Sequence, residues 1–310
     1  MNRNTHIGLL TVLAVLLVLP AVLPNSFYLD LVIRMQINAI VVLGLNLLIG
    51  FAGQISLGHA GFLGIGAFAT AVLPTHFGWP PMAAMAFGAA VTGLLAAVVA
   101  RPIFKLKGQY LAMATLGLGI IINIVLRNES ALTGGPDGMP VPALELPGMQ
   151  VGSDQQWYWL VAALLMFCLW ASLNLIDSPF GRALRALHGS EVAAQVTGVN
   201  IVRYKVSVFV LSAIFASIMG SISAHYVGFV TPNIADFPHS IELVTMVVVG
   251  GMASVFGSLV GAVLLTALPQ ALASFEGWET LVFGVILISC MIFMPKGLVP
   301  TLAAKFRNRG

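Results

Sequence analysis

Residues 177–205 read DSPFGRALRALHGSEVAAQVTGVNIVRYK, and this polar, basic stretch decides the reading of the chain because the sequence on either side of it suits hydrocarbon. Ser178 followed by Pro179 supplies a helix cap and a first-turn proline. Phe180, Ala183, Leu184 and Leu187 then recur at helical spacing, with Arg182 and Arg185 off that face. The pattern predicts a helix that ends at Gly189. Ser190 is placed to cap a second short helix with Val192 and Val196 on one face, and Gly198 supplies the permissive backbone that stops it. Two short helices joined in this way form a compact knob. An apolar stripe with a basic flank suits docking into a groove of another protein, and it equally suits lying on lipid headgroups.

Outward from this knob, composition sets the class. Of 310 residues, 59% are hydrophobic and only 8% charged, whereas a soluble domain carries about a quarter charged residues. The chain therefore reads as an all-α polytopic membrane protein. Its net charge of +3 does not imply nucleic acid, because the basic residues lie in loops between apolar runs. Cys168 and Cys290 sit inside apolar stretches with neither disulfide nor metal spacing. The first apolar run, Ile7 to Leu23, follows Arg3 like a signal peptide. No small-x-small site precedes Pro24-Asn25-Ser26, so it is read as a first span.

A membrane span needs roughly 20 apolar residues. Polar breaks delimit ten candidates, near 7–24, 35–51, 60–76, 82–100, 110–126, 157–176, 206–226, 241–251, 256–272 and 280–294. With ten spans, Arg3, Arg101, Lys105, Lys107, Arg182, Arg185, Arg203, Lys205, Lys296, Lys305, Arg307 and Arg309 share the side of the N-terminus. Only Arg34 and Arg127 fall on the other side, where Asp30, Glu129, Asp137, Glu145, Asp154, Asp236, Glu242, Glu276 and Glu279 gather. The positive-inside rule makes both termini cytoplasmic.

Two stretches do not read as uninterrupted helices: GFAGQISLGHAGFLGIG at 50–66 and SIELVTMVVVGGMASVFGSLVG at 240–261. Gly53 and Gly58 in the first and Gly250 and Gly251 in the second are candidate hinges, and the two breaks form a weak internal repeat of the kind transporters carry. Close helix packing through small residues, such as the GxxxG of Gly257 and Gly261, accounts for glycines here as well. The segment from Arg127 to Gln156, with TGGPDGMPVP at 133–142, is the longest outer connection and is dense in turn residues.

No GxxxxGK[ST] loop occurs, nor an HExxH or CxxC motif, so the chain itself is expected neither to bind and hydrolyse ATP nor to act as an enzyme. Polar residues at membrane depth point to a pathway: Gln54, Ser56, His59, Thr115 and Asn123 are the candidates, with Asn46 and Thr245 of the same type. His59 suits a gate or a helix cap, and Thr115 and Asn123 suit interhelical hydrogen bonds equally well. Carboxylates are missing from span centres, which weighs against an ion-coupled carrier. Glu242 lies at a span edge.

GQISLGHAGFLGIGAF at 53–68, KLKGQYLAMATLG at 105–117, TGGPDG at 133–138, SPFGRALRAL at 178–187, EVAAQVTGVNIVRYK at 191–205 and VVVGGMASVFGSLVGA at 247–262 together resemble the LivM-type permeases of branched-chain amino-acid ABC importers. The resemblance runs along nearly the whole chain in the right order. It implies a single permease domain over 1–310, in a bacterial inner membrane, paired with a second homologous permease subunit. Two cytoplasmic ABC ATPase subunits carrying ATP and magnesium, and a periplasmic substrate-binding protein, complete the assembly, and this chain needs no cofactor of its own. It also implies that 177–205 is the coupling loop, with Ser178, Pro179, Gly181, Arg182, Arg185, Glu191, Ala194 and Gly198 as ATPase-coupling residues. Importer permeases of this kind show Glu-Ala-Ala with a glycine four positions on, and here Glu191, Ala193, Ala194 and Gly198 reproduce that pattern with Val192 inserted. Branched-chain amino acids are the implied cargo, with urea, short amides or other amino acids as alternatives. An ion-coupled secondary carrier is the rival of another class.

Overall fold

A computed structural model describes residues 3–272, apart from 24, 107, 147 and 148, together with scattered positions between 281 and 301. Among the described residues the long helices are α1 (Arg3–Val22), α2 (Ser26–Asn46), α3 (His59–Phe77), α4 (Pro81–Ile103) and α5 (Gln109–Asn128). After a one-turn helix α6 (Ser130–Thr133) come α7 (Asp154–Asp177), α8 (Pro179–Gly189), α9 (Glu191–Val196), α10 (Ile201–Val227), α11 (Phe237–Gly250) and α12 (Val255–Leu272). Eight of these, α1 to α5, α7, α10 and α12, are long and apolar enough to cross a membrane. The protein is a multi-pass, all-α membrane protein.

The expected spans correspond to these helices, with three differences. The span expected at 35–51 starts at Ser26, because Asn25 caps Phe27 N–H and Asp30 pairs with Arg34 one turn on at 3.0 Å, so a charged turn stays helical. The span expected at 241–251 is α11, which starts at Phe237 and is about 21 Å long, short of the roughly 30 Å hydrocarbon layer. Residues 232–235, just before it, pack between α3 and α5, with Ala235 against Gly64 and the Pro232 carbonyl bonded by Asn123 at 2.8 Å. The span expected at 280–294, like Cys290, lies outside the continuously described residues.

α10 forms the centre, packed on α2, α3 and α4, with α7 and α12 against α2. Its seam with α3 is built from small residues. A Cβ at Gly66 would land on the Ser217 carbonyl, and one at Gly220 on the Leu63 carbonyl, so the two backbones are in direct contact. Ser221 Oγ donates to the Gly66 carbonyl at 2.9 Å. At the periphery, Pro20 inside α1 has no N–H to offer the Leu16 carbonyl. Tyr158 of α7 replaces that donor, its hydroxyl 2.6 Å from Leu16 O.

Chain direction defines two ends. Arg101, Lys105, Arg182, Arg185, Arg203 and Lys205 lie at the end that carries α8 and α9, the knob end; Arg34 and Arg127 lie towards the other, far end. There Met139–Pro140, within the 127–156 connection, pairs antiparallel with Phe229–Val230, and the Pro142 carbonyl accepts from His225 Nδ1 at 2.8 Å.

Candidate functional site

The knob has the local structure its sequence specifies. Ser178 Oγ accepts from Phe180 and Gly181 N–H at 3.2 and 3.4 Å, Pro179 opens α8, Ser190 Oγ accepts from Ala193 N–H at 3.3 Å, and Gly198 has φ +84°. Ala183, Leu184 and Leu187 are buried, as is Gly181, which rests on the backbone of Ile176. Ala194 is buried beneath α9, while Val192 and Val196 are 73% and 84% exposed. The face of α9 expected to be apolar therefore points away from the protein.

The charged residues of the knob bond back onto the helices that carry it. Arg182 donates to the Asp177 carbonyl at 3.1 Å and Arg185 to the Ile176 carbonyl at 2.5 Å, so both satisfy the last turn of α7. Glu191 Oε1 lies 2.6 Å from Lys205 Nζ, whose side chain is 3% exposed against 33% for Glu191. This pair fixes α9 to the base of α10. Glu191→Ala strands the buried ammonium and is expected to cost about 3 kcal/mol, the low end for an unpaired buried charge because Glu191 is partly open to solvent. Lys205→Ala removes the buried member and costs less. Thermal melting with proteolysis of the knob tests the order: Lys205→Ala melting below Glu191→Ala would show that the pair does not clamp the knob.

Above the knob lies the first break. Residues Leu47–Phe51 widen into a π-helical turn, and Gly53, at φ +67°, faces the His188 ring of α8, which a Cβ there would meet at 3.1 Å. Several backbone donors of the irregular segment that follows find acceptors on neighbouring elements, as membrane depth favours. Gln54 N–H reaches the Leu48 carbonyl at 3.1 Å, Leu57 N–H the Thr115 hydroxyl at 3.1 Å, and Ala60 N–H the Ser240 hydroxyl at 3.1 Å. Gly58 packs on the Thr115 carbonyl.

The pathway candidates divide into two groups. Gln54, Ser56, His59 and Thr115 are buried at the first break, and Gln54 Nε2 donates to the Ala52 carbonyl at 2.9 Å. His59 links Ser56 and Ser212 of α10 through its two ring nitrogens at 2.8 and 2.7 Å, with Phe62 and Phe209 edge-on to the ring. Asn123 sits apart towards the far end, where it donates to Asp236 at 2.7 Å; Arg127 lies 3.6 Å from the same carboxylate.

The second break lies beside the first. Gly250 packs against Gly257 and Gly261, Gly251 has φ +124°, and Ala253 is held at φ +58°. Asn46, the last residue of α2 before the π turn, joins the two: its Nδ2 donates to Ser254 O at 2.8 Å and Ser258 Oγ at 2.7 Å, and its Oδ1 accepts from Ala253 N–H at 3.0 Å. Gly50 leaves room for this contact, since a Cβ there would strike both Asn46 Oδ1 and Ala253 N. Asn46 is recognisable in the sequence as polar at membrane depth, but nothing there pairs it with residues some 200 positions on. Lys205 read as a loop charge for the same reason.

Residues 27–294 match the family model described as branched-chain amino acid transport system / permease component. The chain is 32% identical over 298 residues to the high-affinity branched-chain amino acid transport system permease protein LivM of Escherichia coli, covering 87% of this chain and 69% of that protein. LivM of Salmonella typhimurium gives 32% over 295 residues with the same coverage. The E. coli permease protein LivH is 26% identical over 286 residues, covering 84% of this chain and 90% of LivH. No solved structure matches the chain. With its glycine-broken helices and capped knob, this chain belongs to the family of branched-chain amino acid transport system permease components.

Proposed function

We propose that this chain is one of two membrane subunits of an ATP-driven importer that carries branched-chain amino acids into the cytoplasm across a bacterial inner membrane. The knob end faces the cytoplasm, following the basic residues gathered there. Two ABC ATPase subunits, with ATP and magnesium, engage the knob, and a periplasmic binding protein delivers substrate to the far end. The observation that carries this reading is the seating of α8 under the first break, His188 against Gly53. A displacement of the knob reaches Gly53 directly, and through the Asn46 bonds it reaches the second break. The exposed Val192 and Val196 are the apolar contacts offered to an ATPase groove. Arg182 and Glu191 then act by holding the knob rigid, so that force is passed on and not absorbed.

Uptake of radiolabelled leucine and urea into vesicles carrying the chain with its partner subunits tests the reading. Leucine uptake that needs both ATP and the binding protein supports it, and urea uptake would replace the cargo. Uptake driven by an ion gradient with this chain alone would overturn it. Gly53→Val is expected to lower leucine uptake about tenfold while the complex still assembles, because a β-branched residue at positive φ costs about 1–2 kcal/mol and presses on His188. Unchanged uptake in an assembled Gly53→Val complex would remove Gly53 from the coupling route.

A further inference from the structure

Arg34 is one of two basic residues set against the charge bias of the chain, and the proposed function leaves it without a role. It lies on α2, eight residues from the start of the helix, about 12 Å down its axis. Arg127, the other, is occupied by Asp236 and Asn233. Arg34 bonds Asp30 through Nε alone, at 3.0 and 3.2 Å. Both terminal NH2 groups of the guanidinium have no partner among the described residues.

Arg34, its side chain 51% exposed, lines a pocket of about 260 Å³ between α2, α3, α10, the 232–235 turn, α11 and α12. Asn38, Ser223, Tyr226, Asn233, His239 and Thr266 add polar groups to its wall, and Ile37, Leu63 and Ile234 are its apolar surfaces. Its wall is held by hydrogen bonds: Tyr226 donates to Asp30 at 2.7 Å, and Asn38 to Thr266 at 3.0 Å. Larger cavities beside α1, of about 580 and 380 Å³, are lined almost wholly by hydrocarbon and suit lipid chains. At roughly 30 Å³ per water, the polar cavity holds the equivalent of about nine waters, which suits a molecule of leucine's size.

We propose that this cavity is a receiving site within the single chain for a small aliphatic amino acid, with the substrate carboxylate on Arg34 and the side chain against Ile37, Leu63 and Ile234. A guanidinium presents paired N–H donors in the geometry a carboxylate accepts. Two cavity walls, α2 and α11, run directly into the two glycine breaks. The assignment rests on the amino-acid reading of the function.

The test is calorimetric titration of leucine into the complete importer in phosphatidylcholine nanodiscs, without the binding protein, alongside the vesicle uptake assay. Leucine is expected to bind, 4-methylpentanoate to compete, and 3-methylbutylamine, which lacks the carboxylate, not to compete. Arg34→Gln is expected to weaken binding about tenfold or more. Ser223→Leu fills the cavity without breaking a described hydrogen bond, and is expected to do the same even where Arg34→Gln disturbs Asp30. Absent leucine binding by a complex that takes up leucine would overturn the site and leave the function standing; absent ATP-driven uptake would overturn the function itself. Competition by the amine equal to that of the acid, or leucine affinity unchanged by Ser223→Leu, would also overturn the site.

Discussion

Asn46→Leu is expected to abolish leucine uptake and to lower the stability of the subunit by about 3 kcal/mol, a figure dominated by one orphaned amide. Side-chain hydrogen bonds between membrane helices average only about 0.6 kcal/mol, so the bonds to Ser254 and Ser258 contribute little by themselves. Ser254 O keeps Ser258 N–H at 3.1 Å. Ala253 N–H has no second acceptor among the described residues, and Ala253 itself is held at φ +58°, a conformation costing about 1–3 kcal/mol for a residue with a Cβ. Without Asn46 Oδ1 that turn relaxes and the two breaks separate. Thermal melting with uptake checks this. A variant that melts and transports like the native protein would mean that the breaks are not mechanically joined through Asn46.

Gly66→Leu is expected to yield no assembled subunit. Overpacking a core commonly costs about 1–3 kcal/mol because neighbours can shift. Here the obstacle is the Ser217 carbonyl of α10, with Gly220 against Leu63 reciprocally one turn away. Backbone cannot rotate aside, so α3 and α10 must move apart and lose Ser221–Gly66 along with the seam. Gly117→Leu is the matched control: it lies on α5 with nothing within 4 Å of its would-be Cβ, and it is expected to assemble normally. Normal assembly of Gly66→Leu would contradict the direct backbone contact.

The contrast between these glycines shows what sequence makes legible. Local chemistry is readable: Ser178-Pro179, Ser190 and Gly198 each specify a cap or stop within a few residues, and the helices end there. Hydrocarbon-length runs are readable for the same reason, and so is the fact that 50–66 and 240–261 are broken. Partners distant in sequence are not. Gly66 and Gly117 are both glycines in apolar helical runs, and only the path of α10 makes one indispensable. Thr115, by sequence a pathway or interhelical candidate, serves as the acceptor for Leu57 N–H in the broken segment. Taken singly, the charges of Asp30 and Arg34 read as a loop, but their i,i+4 spacing lets them pair on a helix.

The bond between Tyr158 and Leu16 bears on how the protein is made. The two residues are 142 positions apart, so at about 5–20 residues per second the carbonyl freed by Pro20 precedes its donor by on the order of ten seconds. A bare carbonyl in lipid costs several kcal/mol over that interval. The energetics therefore favour keeping α1 beside the insertion machinery until α7 emerges, so that the first helix and the sixth long one enter the bilayer as a pair and not in the order of their synthesis.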